Sequence, residues 1–378
     1  MERVFLIDGL RSHVGIRGGE FRDVLPEKLG AGVLRELGKR QDLAAADGLF
    51  CGNAVGPGGN IGRLTLLEAG LPAAMPAVTF DMQCASSLAA VDLAYGKLAA
   101  GQAGCLIVGG VESSSLAPEK RYHERDPRSG LRERAYHAAQ FIPGEFCDES
   151  MLLGAERTAK KAGITREEAD RAALASQQRA AAAQAAGIFK GCIVPLFGSS
   201  RDEAIRPRLN EKIMRRAPVM SGVPGGIVTA ANACTINDGA AFLLLASESF
   251  TEAHHLEPKA EIIASAMTGG DPECPPFAAD TAAAAVLQKA GLSYSDVTAF
   301  EYNEAFSVID VLFERAHPEV HGRLNPYGGA LAYGHPYGAS GAIILLHLLA
   351  SLEKKGGYGV ASIGAAGGVG EAVLLRSN

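Results

Sequence analysis

The chain has 378 residues, 47% of them hydrophobic and 21% charged, enough for two ordinary domains or one large duplicated domain. The net charge of −6 argues against a general nucleic-acid-binding protein, and seven scattered cysteines without a C-x-x-C pair argue against a zinc or disulfide framework. The sequence shows neither a signal-peptide core nor an apolar run of about 18 residues, so we expect a cytoplasmic protein without a membrane span.

Apolar runs alternate with longer helical patterns, which predicts an α/β protein with largely buried strands. The predicted strands are 3–8, 48–54, 77–80, 104–110, 239–247, 259–266, 297–302, 324–333, 358–364 and 370–376. The predicted helices are 27–39, 61–70, 85–101, 150–163, 166–188, 279–291, 304–316 and 339–355.

The stretch DMQCASS places Cys84 where a predicted strand ends and a helix begins. Unpaired backbone N–H groups and the helix dipole stabilise an anion at such a position, which predicts a lowered thiol pKa and a nucleophile. The alternative is a small buried hydrophobic residue, since free cysteines are commonly buried.

Residues 115–225 are rich in charge and poor in strand-like runs. We interpret them as a subdomain inserted into the α/β core, whose basic residues either meet an anionic ligand or form a solvated surface. The elements around this insertion contain a weak repeat. Ser86 and Ser340 each open a helix, and a strand ending in glycine follows each helix. The repeat predicts a duplicated α/β unit, with chance similarity as the alternative.

Asn303, in NEAF, lies where a strand passes into a helix, so it either holds a water or an oxyanion or caps the helix. His335 lies between Gly334 and Pro336 before the second small-residue helix start. We interpret it as a general base or hydrogen-bond donor facing Cys84, or else as a turn cap. The glycine-rich stretch 362–375 precedes an apolar run rather than a helix, which favours a hairpin over a dinucleotide site.

Together these stretches resemble the thiolase family nearly from end to end. The matching motifs are DMQCASS, GGVESSS (109–115), GGIVTAANACTINDGAA (225–241), NEAF (303–306) and GGALAYGHPYGASG (328–341). The resemblance implies the thiolase fold, in which two duplicated α/β halves form five αβαβα layers. The halves would be 1–248, with a loop domain inserted at about 115–225, and 249–378.

The resemblance also implies acyl transfer from a coenzyme A thioester, with acyl-CoA and CoA as partners. Cys84 would become acylated, His335 would take its proton, and Asn303 would orient a water. Backbone N–H groups of Cys84 and Ala366 would bind an oxyanion. The implied substrate-binding positions are Met151, Ala230, Cys234 and Phe306. We expect a homodimer or homotetramer without a metal or redox cofactor, and without a nucleic-acid or membrane partner.

The sequence departs from the family in its last glycine turn, where the usual second catalytic cysteine is Gly364. Such a thiol moves a proton at the substrate α-carbon, and general acid–base catalysis of this kind contributes about 10²–10⁴-fold. A cysteine that some relatives carry in the NEAF motif is Ala305, a histidine near the channel is Ser150, and the usual serine of the N-D-G-A stretch is Cys234. Substitutes for the missing thiol are His335, a water, Cys51, Cys234 or Cys274.

Three functions follow. The first is a thiolase-like acyltransferase that makes or cleaves a 3-oxoacyl-CoA. The second is a decarboxylating condensing enzyme or simple acyltransferase using Cys84, His335 and Asn303. The third is a non-catalytic CoA-binding subunit. Tyr333 and Tyr337, which flank His335, either shape the substrate pocket or only pack.

Overall fold

The computed structural model describes residues 1–131, 135–136, 138–144, 147–353 and 355–377. The predicted insertion therefore includes residues 132–134, 137 and 145–146 that lie outside the described part, as does residue 354 of the predicted last helix. Among the helices of the described ranges, none combines the length and apolar character needed to cross a bilayer.

The strands and helices alternate along most of the chain. The strands are β1 (Val4–Ser12), β2 (Gly15–Ile16), β3 (Leu49–Gly52), β4 (Ala77–Phe80), β5 (Cys105–Glu112), β6 (Ile193–Val194), β7 (Asn237–Ser247), β8 (Ala260–Gly269), β9 (Val297–Tyr302), β10 (Gly357–Ala365) and β11 (Val369–Ser377). The helices are α1 (Pro26–Gly38), α2 (Ile61–Glu68), α3 (Ser86–Ala99), α4 (Ser150–Ala162), α5 (Arg166–Ala186), α6 (Glu211–Arg216), α7 (Glu248–Ala253), α8 (Ala278–Ala290), α9 (Val308–Ala316), α10 (Ala330–Tyr333) and α11 (Ser340–Leu352).

The predicted strand 324–333 is wrong. Leu324 makes only an isolated parallel bridge to Phe300, and the chain then turns into the short helix α10. Asn325 has a φ of +43°, and its amide oxygen accepts the Tyr302 backbone N–H at 2.9 Å, so it ends the extended run. Every other predicted strand and helix overlaps an element of the same type.

One sheet runs through the described chain in the order β4-β3-β5-β7-β1-β8-β11-β10-β9. The pairing pattern repeats in its two parts. The pair β3–β5 is parallel while β5–β7 and β7–β1 are antiparallel, and likewise β9–β10 is parallel while β10–β11 and β11–β8 are antiparallel. The strands β3-β5-β7-β1 therefore pair in the same way as the strands β9-β10-β11-β8. This agreement is the duplication that the repeat at Ser86 and Ser340 predicts.

Helices α3 and α11 lie between the two parts of the sheet and contact strands of both. Helices α1 and α2 cover the outer face of the first part, and α8 packs on the outer face of the second. The two central helices approach closely, because a Cβ at Gly341 would lie only 2.3 Å from the Leu88 backbone nitrogen. The Ser87 hydroxyl also accepts the Ala342 backbone N–H at 3.1 Å. Their N-terminal ends, and the loops before them, are therefore brought together.

Candidate active site

A cavity of about 440 Å³ lies where these loops meet. Its walls come from both parts of the sheet and from the segment between β5 and β7. Among the predicted site residues, the cavity is lined by Cys84, Met151, Cys234, Phe306, His335 and Ala366. The structure therefore gathers side chains from distant parts of the sequence around one space.

Cys84 lies in the tight turn between β4 and α3. The preceding Gln83 has a φ of +53°, a strained conformation for a non-glycine residue. The Asp81 carboxylate accepts the Gln83 backbone N–H at 2.9 Å, and the Ser86 hydroxyl accepts the Met82 N–H at 2.9 Å. These bonds fix the turn and hold Cys84 at the cavity wall, with 8% of the residue exposed.

The lowered pKa that the helix start predicts for Cys84 is wrong for the resting protein. Burial raises the pKa of the Cys84 thiol, and the nearby Cys234 adds to the rise. Desolvation disfavours a thiolate more than the helix N-terminus favours it at this position. Cys84 therefore keeps its proton until a base removes it.

His335 is buried and lines the same cavity as Cys84, and its hydrogen bonds define its tautomer. The Ser340 hydroxyl donates to the Pro336 carbonyl at 2.9 Å and lies 2.6 Å from His335 Nδ1, so it accepts the Nδ1 proton. The lone pair is then on Nε2, 3.2 Å from the Asn303 amide nitrogen. Burial lowers the pKa of His335 to about 3, which keeps the resting imidazole neutral, with no proton on Nε2.

Asn237 positions the His335 loop, a role that the sequence analysis missed. Its side-chain oxygen accepts the His335 backbone N–H at 3.0 Å, and its amide donates to the Gly15 carbonyl at 2.8 Å. Gly334 has a φ of +96°, and a Cβ there would lie 2.3 Å from the Asn237 amide. The signal was present in the INDGAA part of the stretch 225–241.

Glu112 is a second functional candidate that the sequence analysis did not single out. Its buried carboxylate accepts the backbone N–H groups of Ala54 at 2.9 Å and of Gly338 at 3.0 Å, and an Asn53 amide N–H at 2.9 Å. Burial raises its pKa to about 7, although the backbone N–H donors Ala54 and Gly338 oppose the rise. Glu112 thereby ties the end of β5 to the loop that begins α11, within the GGVESSS motif.

The last glycine turn brings Ala366 to the cavity, between β10 and β11. Gly364 does not line the cavity in the described structure. A Cβ at Gly364 would lie 3.0 Å from the Pro275 carbonyl oxygen and 3.1 Å from the Ala279 nitrogen. A side chain there requires these neighbours to move by a few tenths of an ångström.

The structure separates the substitutes proposed for the missing thiol. Cys51 is buried in the core cluster that holds residues of α1 and α2, and Cys274 lies before Pro275; neither lines the cavity. Cys234 lines the cavity. Tyr337 lines it too, and its ring lies edge-on to the His335 ring, with the two ring centroids 4.7 Å apart.

Other named positions lie away from the cavity. Ala230 is exposed, and its carbonyl accepts an Arg206 N–H at 3.4 Å. Tyr333 is buried and donates to the Tyr327 carbonyl at 2.8 Å, which favours packing over substrate binding. The Ser150 hydroxyl donates to the Cys147 carbonyl at 2.7 Å.

Sequence comparisons match nearly the whole chain to one protein family. The thiolase N-terminal domain model matches residues 4–249, and the thiolase C-terminal domain model matches residues 256–377. YhfS of Bacillus subtilis (strain 168) is 37% identical over 98% of both chains. The 3-oxoadipyl-CoA/3-oxo-5,6-dehydrosuberyl-CoA thiolase of Escherichia coli (strain K12) is 35% identical over 100% of both.

Solved structures agree with the sequence comparisons. Human mitochondrial 3-ketoacyl-CoA thiolase superposes with a TM-score of 0.91 at 30% identity, covering 100% of this chain and 99% of that one. The acetyl-CoA acetyltransferase of Bacillus anthracis superposes with a TM-score of 0.93 at 28% identity and the same coverage.

Proposed function

The chain belongs to the thiolase family and is a thiolase-like acyl-CoA acyltransferase, and we propose that it makes or cleaves 3-oxoacyl-CoA thioesters through an acyl-Cys84 intermediate. The observation that carries this proposal is the pairing of a protonated Cys84 with a neutral His335 in one cavity. Asn303 supports the pair through its contact with His335 Nε2.

In cleavage, His335 Nε2 takes the Cys84 thiol proton, and the thiolate attacks the C3 carbonyl of the 3-oxoacyl-CoA. The backbone N–H groups of Cys84 and Ala366 stabilise the resulting oxyanion. The C2–C3 bond then breaks, which leaves acyl-Cys84 and the enolate of the shortened acyl-CoA. That enolate takes a proton at C2 and leaves.

In the second half, the sulfur of a CoA thiol attacks acyl-Cys84 after losing its proton. The tetrahedral intermediate collapses, the Cys84 sulfur leaves, and the imidazolium of His335 returns a proton to it. A water held by Asn303 and His335 binds the thioester oxygen of the CoA substrate in this proposal. Condensation is the reverse sequence.

We further propose that acyl-CoA and CoA are the small-molecule partners and that no metal or redox cofactor takes part. One structural neighbour is the human mitochondrial 3-ketoacyl-CoA thiolase in complex with CoA, which supports a CoA ligand. Every step above moves only protons and acyl groups, so none requires a change of oxidation state.

We also propose a cytoplasmic homodimer or homotetramer. Buried free thiols such as those of Cys51, Cys105 and Cys274 fit a reducing compartment. Strand β4 pairs only with β3 within the described sheet, and Val78 on it is 37% exposed, so this edge can accept a second copy.

The first experiment is incubation of the purified protein with acetyl-CoA and acetoacetyl-CoA, followed by intact-mass and peptide mass spectrometry. We expect one acetyl group on Cys84 and none in the Cys84→Ala variant. Cys274→Ala, which removes a thiol outside the cavity, is the matched control and should acylate normally. An unmodified Cys84 would reject both catalytic functions and favour the non-catalytic CoA-binding subunit.

A decarboxylating condensing enzyme is the second candidate, because Gly364 supplies no thiol for proton transfer at carbon. Loss of CO₂ from a malonyl thioester creates the carbanion without such a base. The test is CO₂ release from malonyl-CoA by acetylated enzyme. Turnover that depends on Cys84 would support this candidate, and complete indifference to malonyl-CoA would remove it.

A further inference from the structure

Cleavage of the C2–C3 bond leaves an electron pair on C2, which must receive a proton. His335 has by then taken the Cys84 proton, which it later returns to the Cys84 sulfur. If His335 keeps that proton until then, a second group must protonate C2. We propose, resting on the function proposed above, that Cys234 protonates C2 in cleavage and that its thiolate removes the C2 proton in condensation.

The backbone around Cys234 is clamped between the two loops of the site. The Cys234 N–H donates to the Ala305 carbonyl at 2.9 Å, on the loop that carries Asn303. One residue later, the Thr235 carbonyl accepts the His335 backbone N–H at 3.2 Å. Cys234 therefore lies between the asparagine loop and the histidine loop and contacts both through its own or its neighbour's main chain.

The side chain of Cys234 faces the same cavity as Cys84. Within the described lining, these two are the only thiols. Ala305, where some relatives carry a cysteine, also lines the cavity, and the bond to its carbonyl brings Cys234 next to that position. Positions 305 and 364 carry no thiol, and Cys234 supplies one from the segment before β7 that is hydrogen-bonded to residue 305.

The protonation state of Cys234 suits a proton donor. Burial raises the pKa of its thiol to about 12, so at neutral pH it holds a proton that a carbanion can take. In cleavage, C2 takes the proton of the Cys234 S–H and leaves a thiolate. This thiolate removes the proton of the incoming CoA thiol, whose sulfur then attacks acyl-Cys84. Cys234 is restored, and protons and electron pairs balance.

Tyr337 is the rival group, because it lines the same cavity and touches the His335 ring. Burial and the neighbouring thiols Cys234 and Cys84 raise the pKa of Tyr337 well above its usual value. Cys234, by contrast, is hydrogen-bonded through its N–H to Ala305, the position where some relatives carry a cysteine. The observations therefore favour Cys234, and a Tyr337→Phe variant tests the alternative.

The experiment compares wild type with Cys234→Ala, Cys234→Ser, Tyr337→Phe and the control Cys274→Ala. Two quantities are measured: acyl-Cys84 formation by intact mass, and exchange of the C2 hydrogens of acetyl-CoA for deuterium by NMR. We expect Cys234→Ala and Cys234→Ser to lower exchange and thiolysis kcat by about 10²–10⁴-fold while acyl-Cys84 still forms. Cys274→Ala should match wild type in both measurements.

The inference would be overturned if Cys234→Ala exchanged the C2 hydrogens at a rate within about threefold of wild type. It would also be overturned if Tyr337→Phe were the one variant that lost this exchange. Loss of acyl-Cys84 in both Cys234 variants would also overturn it, because Cys234 would then be required for the pocket itself. If wild type exchanges but forms no acyl-Cys84, the proposed function fails. If wild type is acylated and Cys234→Ala exchanges normally, only this inference fails.

Discussion

Cys84 and His335 form a neutral pair at rest because burial acts on both in opposite directions. Burial raises the pKa of the thiol and lowers that of the imidazole. The sequence singled out both residues through motifs that resemble the thiolase family, whereas a position at a helix start left each with a purely structural alternative. It could not predict their ionisation, because the groups that bury them come from loops far away in the chain.

The depressed pKa of His335 predicts an acid-sensitive contribution to stability. An unfolded histidine with a pKa of 6.5 binds a proton below that pH, whereas folded His335 does so only near pH 3. The unfolded state then holds more protons between these values, so stability falls as pH decreases from 6.5 toward 3. This single group contributes a loss of about 2–3 kcal/mol between pH 7 and pH 4.5.

The measurement is the free energy of unfolding in urea at both pH values for wild type and His335→Asn. The variant should lose about 2–3 kcal/mol less than wild type over this interval. Glu112 and the other titrating groups are common to both proteins and cancel in the difference. Equal losses would show that His335 binds its proton at an ordinary pH.

At the scale of elements, the crossing of α3 and α11 sets the distance between the two catalytic loops. Each helix follows directly from its loop, and the backbones touch at Gly341 and Leu88. Gly338 makes a similar contact before α11, where a Cβ would lie 2.6 Å from the Asn53 Cα. A change in this contact therefore moves Cys84 relative to His335.

Gly341→Ala tests this contact. Its Cβ would meet the Leu88 backbone nitrogen at 2.3 Å, so the helices must separate. Overpacking of this kind typically costs about 1–3 kcal/mol, and we expect acyl-Cys84 formation to slow by at least tenfold. Gly96→Ala is the matched control, because Gly96 lies in α3 with nothing within 4 Å of an added Cβ.

The control should gain about 0.5–1 kcal/mol from helix propensity and acylate at the wild-type rate. Urea unfolding and the time course of acylation give both numbers for each variant. If Gly341→Ala formed acyl-Cys84 at the wild-type rate, the loops would hold their geometry independently of the helix crossing.

The long elements were predictable from the sequence because their apolar patterns are uninterrupted. The structure of residues 324–333 was not predictable, because a short apolar run fits a strand and a buried helix equally well. The positive φ angles of Asn325 and Gly328, which turn the chain, are visible only in the structure. The short elements β2, β6 and α6 carry too few residues to show a period. Glu112 at the end of β5 and Asn237 at the start of β7 act through hydrogen bonds to distant segments, which periodicity does not encode.

At the scale of the whole molecule, the site belongs to neither half alone. The first part of the sheet supplies Cys84, and the second supplies Asn303 and His335. Met151 and Cys234 come from the segment between β5 and β7. The thiolase fold that the motifs imply is confirmed by the superpositions. The division at residue 248 stays a prediction.

The proposed oligomer is tested at the free edge of β4. In a two-fold antiparallel pairing along this edge, Val78 of one copy lies near Val78 of the other, so Val78→Lys places two positive charges together. We expect the mass in solution, measured by light scattering at low salt, to fall to half that of wild type. Ile213→Lys, which changes a 47% exposed apolar residue on α6, is the control and should keep the wild-type mass. An unchanged oligomer in Val78→Lys would mean that the copies associate through another surface. A monomeric wild type would reject the oligomer itself, while leaving the acyl transfer at Cys84 to be judged on its own measurements.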